Sequence, residues 1–271
     1  MPLTDLIRYF NAADTSEEST MYLQGERVAA WHRGLQMSSL FQPIVDLRQE
    51  CVVGHMALLS AQQEDETPVS SEVAYASCES AASLIYFDRL CRTLHALNWL
   101  VQRDKVAGYL QLVIDPRHLL AVQNQHGLAY EAILQRCGLA PEDIVLEFSA
   151  SQLGSDGRLA AGVANYRRRG YRLALRDPVL SRDVAAVLAL QPEFVRFDGK
   201  PDGEALAACR QAGIAIEVSG IESADDFAVA KAAGFAFGLG NLFGAAQSDC
   251  RPTHSTPRVA YNSSSLSGTE S

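Results

Sequence analysis

The chain has 271 residues, of which 48% are hydrophobic and 20% are charged, which fits one large core or two smaller ones. Its formal net charge of −9 disfavours contact with phosphate backbones, so a nucleic-acid-binding function is not expected. No basic segment followed by an apolar core opens the chain, and no apolar run reaches a membrane-spanning length. We therefore expect a cytoplasmic protein without membrane contact. The six cysteines form no C-x-x-C pair and indicate neither a metal site nor a disulfide framework.

Three parts are predicted along the chain: an N-terminal arm over residues 1–20, a folded domain over residues 21–247, and a disordered tail over residues 248–271. The tail is rich in Ser, Thr, Asn and Pro, which is typical of segments that bury too little apolar surface to fold. A second helix is predicted over residues 21–36, where apolar residues fall near one helical face. The arm itself is predicted to be an amphipathic helix whose apolar face is made of Leu3, Leu6, Ile7 and Phe10.

From residue 40 onward, short apolar segments alternate with helical ones, which indicates a mostly parallel sheet covered by helices. Strands are predicted over residues 40–46, 52–59, 109–114, 143–148, 171–176, 193–197, 214–218 and 235–239. Helices are predicted over residues 71–103, 118–137, 157–169, 181–190, 202–212 and 223–233. Eight strands over this length favour closure into an α/β barrel. The gap between the first two strands is too short for a parallel crossover, so one strand should run antiparallel.

In α/β barrels the functional residues lie at the C-terminal ends of the strands. Carboxylate and amide oxygens at these ends are the ligands that hard divalent cations prefer. Arg176 and Lys200 lie among the acidic residues at these strand ends, which is unusual for a metal site. The acidic residues at or just after the predicted strands are Asp115, Glu147, Asp177, Asp198, Glu217 and Glu222.

Residues 41–47 read FQPIVDL, and after a short gap residues 52–60 read VVGHMALLS. These segments resemble the opening of the EAL family, bacterial phosphodiesterases that linearise cyclic di-GMP, where a similar segment precedes VVG-x-EALLR. Met56 stands in place of the glutamate that names the family, and Ser60 stands in place of the closing arginine. The resemblance covers roughly residues 25–246 and implies a TIM-like (β/α)8 barrel of the EAL type with one antiparallel strand.

The middle of the chain matches three further EAL motifs with changed ligands. The asparagine of a segment like SVNLSPRQL, a metal ligand in the family, falls on Val113. The first glutamate of LEITES, also a metal ligand, is retained as Glu147. The paired aspartates of IALDDFGTG correspond to Arg176 and Asp177, and the glycines that follow are missing.

The C-terminal motifs show the same mixture of retained and replaced residues. In the segment that resembles LKID, Arg196 replaces the lysine linked to the catalytic water, and Asp198 is retained. In the segment that resembles AEGVE, Ser219 replaces the first glutamate, and Glu222 is retained. Leu239 replaces the glutamine of QGYLFG.

The resemblance therefore implies a barrel that is kept and a metal centre that is lost. We expect no catalytic residues and no cofactor, with Mg²⁺ or Mn²⁺ relevant only if residual phosphodiesterase activity exists. We hypothesise that the guanidinium of Arg176 pairs with Glu147 or Asp198 and substitutes for the missing metal. The alternative is an Arg176 side chain that points to solvent.

The function implied is that of a catalytically inactive EAL-like regulatory module that contacts another protein in bacterial signalling, with a homodimer also considered. Cyclic di-GMP is expected to be an unlikely ligand, because Ser60 lacks the phosphate-binding guanidinium and the residual acids repel a dianion. A non-hydrolysing cyclic di-GMP receptor and a residual phosphodiesterase remain the alternatives. Two candidate partner surfaces are the apolar face of the N-terminal helix, which could instead pack across the barrel bottom as a plug, and the loop Pro178, Val179 and Leu180.

Overall fold

The computed structural model describes residues 2–13, 19–103, 108–121, 128–149, 157–176, 189–199, 203–250 and 260–261. In chain order, its strands are β1 Ser19–Gln24, β2 Arg27–His32, β3 Leu35–Asp46, β4 Cys51–Gln62, β5 Pro68–Val69, β6 Tyr109–Val113, β7 Ile144–Ser149, β8 Arg172–Arg176, β9 Phe194–Asp198, β10 Ala215–Ser219, β11 Phe237–Gly238 and β12 Ala260–Tyr261. Its helices are α1 Leu3–Ala13, α2 Ser71–Ala76, α3 Ala81–Leu100, α4 Pro116–Ala121, α5 Leu128–Cys137, α6 Gly157–Arg168, α7 Gly203–Gln211 and α8 Ala224–Ala232.

Eight of these strands close into a barrel, in the order β3, β4, β6, β7, β8, β9, β10 and β11, with β11 returning to β3. Strand β3 is antiparallel to both of its neighbours, β4 and β11. The remaining neighbours pair in parallel. The predicted EAL-type barrel with one antiparallel strand is therefore confirmed.

Alternate residues of each strand point into the barrel. The lowest layer of these inward side chains is apolar, and we call it the floor. The floor is a hydrophobic cluster separate from the one between strands and helices. Two predicted site residues, Met56 and Leu239, belong to this floor and are buried there. Its buried members are Ile44, Met56, Tyr109, Val145, Ala174, Phe194 and Leu239.

The helix predicted over residues 21–36 is wrong, because these residues form the hairpin β1–β2 and the start of β3. Two glycines decide the change of direction: Gly25 and Gly34 lie at the turns with φ of 62° and 83°, where a side chain would be strained. The other predicted helices also differ in part, since 71–103 divides into α2 and α3, with Ser80 capping α3. The helix predicted over 181–190 lies almost entirely outside the described residues.

Helix α1 confirms the helix in the arm, but its apolar face is turned towards the domain. Leu6 and Ile7 are buried, and Leu3 and Phe10 pack partly buried against the same core. These four side chains therefore do not form a free partner surface in this structure. The other candidate surface, Pro178 to Leu180, lies outside the described residues.

The fold continues past residue 247, so the predicted start of a disordered tail at 248 is wrong. Gln102 at the end of α3 donates to the Ser248 carbonyl at 3.2 Å and accepts from the Cys250 backbone N–H at 2.7 Å. The ring Nε2 of His55 lies 2.9 Å from the Cys250 carbonyl oxygen. Strand β12 pairs in parallel with the beginning of β4. None of the described helices is both long and apolar enough to cross a membrane.

Asn98 anchors the hairpin to α3, and its removal provides a test of the fold. Its side chain accepts from the Val28 N–H at 2.8 Å and donates to the Val28 carbonyl at 2.7 Å, in a buried position. We expect Asn98→Ala to lower the free energy of unfolding by about 2–4 kcal/mol, because two backbone groups lose their partners. Urea unfolding measures this loss, with exposed Asn241→Ala as the control. Equal stability of the two variants would contradict the anchoring role.

Candidate functional site

A polar layer lies directly above the apolar floor. Gln111, Glu147, Arg196 and Glu217 each follow a floor-level residue by two positions on β6, β7, β9 and β10, which places them on the inner side of the same strands. All four are buried, and the two glutamates are fully so. The layer therefore puts two carboxylates and one guanidinium into the barrel, where unpaired charge is costly.

Hydrogen bonds join the four side chains. The Gln111 side chain donates Nε2–H to Glu147 Oε2 at 2.7 Å and to Glu217 Oε1 at 3.1 Å. Arg196 donates Nη2–H to Glu147 Oε1 at 3.0 Å, and its Nη1 lies 3.2 Å from Asp198 Oδ1. The Arg196 guanidinium thus bridges a buried carboxylate and a half-exposed one at the mouth of the barrel.

The hypothesised pairing of Arg176 with Glu147 is present, but only at long range. Arg176 Nε lies 3.8 Å from Glu147 Oε1, and the arginine side chain is 37% exposed. Arg196 is closer and far more buried, so it is the main partner of Glu147. This role of Arg196, which stands at the position of the family's lysine, and the roles of Gln111 and Glu217 do not follow from the motifs alone. The sequence does show that Gln111 and Glu217 each precede a motif residue, Val113 or Ser219, by two positions, which places them on the same side of their strands.

The remaining predicted site residues are not all brought together. Ser219 donates its hydroxyl to Asp198 Oδ1 at 2.7 Å, and Val113 is partly exposed at the end of β6. Ser60 pairs with Ser38 near the end of β4. Glu222 is exposed and accepts the Asn241 N–H at 3.3 Å, apart from the polar layer. Asp177 lies outside the described residues.

A cavity of about 330 Å³ opens at this mouth. Its wall combines apolar side chains from β4 and β6 with the aromatic ring of Tyr75 on α2. Cavities of this size and mixed lining are typical of small-molecule sites. Leu58, Tyr75, Val113 and Arg176 line it together with two acidic residues, Glu72 and Asp115, of which Asp115 is paired with Arg117.

The sequence profile of the EAL domain matches residues 28–200, more than half of the chain. The chain belongs to the EAL domain family. No curated protein sequence matches it significantly.

Solved EAL structures share this domain's fold at low sequence identity. The EAL enzyme Bd1971, described as bound to cAMP and cyclic di-GMP, has 16% identity and a TM-score of 0.68, over 90% of this chain and 66% of that one. The FimX EAL domain from Pseudomonas aeruginosa, bound to cyclic di-GMP, has 20% identity and a TM-score of 0.65, over 79% and 91%. The Bacillus subtilis YkuI protein, in complex with substrate cyclic di-GMP and calcium, has 16% identity and a TM-score of 0.67, over 80% and 56%.

The prediction that cyclic di-GMP is an unlikely ligand is wrong, because EAL domains of this fold have been solved with cyclic di-GMP bound. In the described part of the mouth, Glu147 and Asp198 both contact the Arg196 guanidinium, which offsets their negative charge. A dianionic ligand therefore does not face a cluster of bare carboxylates.

The pKa values in this EAL domain's polar layer follow from burial and from the neighbouring charges. Burial lowers the pKa of Arg196, but the carboxylates of Glu147, Asp198 and Glu217 raise it by more, so the guanidinium stays charged. Burial, together with the charge of Glu147, raises the pKa of Glu217 to about 8 against the opposing effect of Arg196. Glu217 is therefore mainly a neutral carboxylic acid at pH 7, and the layer holds one buried anion and one buried cation.

A divalent metal ion does not fit the described residues of this mouth. Four positions that carry oxygen ligands in the resemblance hold Met56, Val113, Arg176 and Ser219. The Ser219 hydroxyl is engaged with Asp198, and no group of three His, Cys, Asp or Glu among the described residues is arranged to hold a metal. Glu147, which is a metal ligand in the resemblance, faces guanidinium groups.

Replacement of Arg196 tests the buried ion pair. We expect Arg196→Met to lower the free energy of unfolding by about 3 kcal/mol, because it leaves Glu147 without its close cation. Arg196→Lys keeps the charge and should lose less. Urea unfolding at pH 7 compares the two variants. A methionine variant as stable as the wild type would show that Glu147 does not depend on Arg196.

The raised pKa of Glu217 predicts a pH dependence of stability. The folded domain keeps a proton that the unfolded chain releases near pH 4.5, so this contribution to stability is complete below that pH. It is lost as the pH rises towards 8, at up to about 1.4 kcal/mol per pH unit. Glu217→Gln mimics the neutral acid and should remove this slope. Urea unfolding at several values between pH 5 and 9 gives the difference, in which the histidine contributions cancel; parallel curves would contradict it.

Proposed function

We propose that this EAL domain is a non-hydrolysing regulatory domain that binds cyclic di-GMP at the barrel mouth without a metal ion. The observation that carries the proposal is the guanidinium of Arg196, held between Glu147 and Asp198. In this position the Arg196 side chain supplies positive charge to the acidic residues Glu147 and Asp198.

The absence of hydrolysis follows from what a guanidinium can and cannot do. A metal ion neutralises phosphate charge and also lowers the pKa of a bound water to produce the nucleophile. A guanidinium donates hydrogen bonds to phosphate or carboxylate oxygens but has no open coordination position for water. Arg196 and Arg176 can therefore replace the charge of the metal and not its role in activating water.

Binding is supported by the size, lining and charge of the mouth. The cavity has room for a planar base, and Leu58, Val113 and Tyr75 give it apolar walls. The partly exposed side chain of Arg176 lines the same cavity, so its guanidinium would lie beside a phosphate bound there. Since Glu217 is mainly neutral at pH 7 and Glu147 is paired, the buried charges do not oppose an anionic ligand.

The domain would regulate another protein by direct contact, and cyclic di-GMP bound at the barrel mouth would control that contact. The segment Pro178 to Leu180 follows β8 closely in sequence, and Arg176 at the end of β8 would meet the ligand. A ligand held by Arg176 would thus act next to that segment. Identification of the partner protein requires affinity capture with and without the nucleotide.

A thermal-shift titration with cyclic di-GMP tests the proposal. We expect the melting temperature to rise with ligand concentration in EDTA as well as in Mn²⁺, without formation of the linear dinucleotide. Arg176→Met should weaken binding by about 10- to 100-fold, because a charge-assisted hydrogen bond is lost. Arg168→Met, on the exposed end of α6, is the matched control and should bind like the wild type.

Two outcomes would contradict different parts of this proposal. Linear product that forms only with Mn²⁺ or Mg²⁺ would refute the non-hydrolysing role. No shift at any ligand concentration would refute binding, and would favour a domain that acts through protein contact alone.

A further inference from the structure

Strand β1 forms the open end of the sheet. Among the described residues it pairs with β2 and with no other strand. An uncovered edge strand offers a row of backbone N–H and C=O groups to any other strand, and proteins therefore protect such edges. The edge of β1 needs a partner or a cover.

Helix α1 covers this edge through one side chain. Asn11 donates its Nδ2–H to the Met21 carbonyl at 2.8 Å and accepts the Met21 backbone N–H on Oδ1 at 2.8 Å. Both groups of Met21 therefore point away from β2, as every second residue of an antiparallel strand does. A carboxamide has the donor and acceptor of a peptide group, so Asn11 occupies the place that one residue of a neighbouring strand would take.

The hold of α1 on the rest of the domain is limited. Leu6 and Ile7 are buried, and Leu3 and Phe10 pack partly buried against the same core. Tyr9 is exposed at one face and contacts the guanidinium of Arg136 on α5 at 4.4 Å from the ring centre. A helix of 11 residues has little stability of its own, so its position depends on these few contacts.

The strand beneath it is suited to pairing with a copy of itself. Residues 19–24 read STMYLQ, which contains no charged residue, so two identical strands do not repel each other. Leu23 already exposes 42% of its surface next to this edge. Antiparallel pairing of the same segment from two molecules satisfies both edges at once and is symmetric.

We propose that α1 is a removable cap on β1, and that its withdrawal allows β1 to pair with β1 of a second copy of this chain. The capped and the paired states exclude each other, because the Asn11 carboxamide and a neighbouring strand compete for the same N–H and C=O of Met21. The proposal is independent of nucleotide binding at the mouth.

The full chain with Asn11→Leu tests the cap. We expect the Met21 amide hydrogen to exchange about fivefold faster or more, because its bond is lost while the size of the side chain is kept. We also expect a concentration-dependent dimer in light scattering coupled to gel filtration. Arg8→Ala is the matched control, since it removes a side chain of α1 that is 82% exposed, and it should remain as monomeric as the wild type.

A second substitution distinguishes pairing through the β1 edge from nonspecific association. Leu23 shares the orientation of Met21, so its backbone N–H also points away from β2, and Leu23→Pro should block the edge without breaking the hairpin. The double variant Asn11→Leu, Leu23→Pro should return to a monomer. A folded Asn11→Leu variant that stays monomeric, or a dimer that survives Leu23→Pro, would overturn the proposal. If Asn11→Leu does not fold, Leu3→Ala loosens the start of α1 and gives the same two readouts.

Discussion

The ion pair between Arg196 and Glu147 is the interaction on which the rest of this barrel mouth depends. A carboxylate buried inside a barrel needs a cation, and the Arg196 guanidinium on β9 lies 3.0 Å from Glu147. Met56 belongs to the apolar floor below this pair, and Val113 lies partly exposed at the strand end.

The barrel interior consists of two layers of side chains with different roles. The floor consists of apolar side chains that pack in the same way whatever lies above them. In the polar layer two residues further along the strands, the charge of Glu147 is offset by that of Arg196, and Glu217 is largely neutral. Substitutions at the upper level therefore alter charge and hydrogen bonding without disturbing the packing that closes the barrel.

Two asparagines use the same chemistry to attach the elements that precede the barrel. Asn98 completes the backbone hydrogen bonds of Val28, and Asn11 completes those of Met21. One bond pair lies buried beneath α3 and fixes the hairpin to the domain, while the other is partly exposed at the sheet edge. The difference in burial explains why the first is structural and why the second can be exchanged for another strand.

The sequence by itself determined the barrel and its one antiparallel strand, because buried parallel strands are short apolar segments with characteristic spacing. It gave the wrong structure for residues 21–36, since their apolar residues fit a helix as well as two strands until α3 packs against Val28. It also ended the domain too early, because the burial of Cys250 depends on Gln102 and His55, which are distant in sequence. Only the tertiary structure decided that Arg196 is the main partner of Glu147, with Arg176 at longer range. That choice depends on how far each side chain reaches across the closed barrel, which no local pattern of residues encodes.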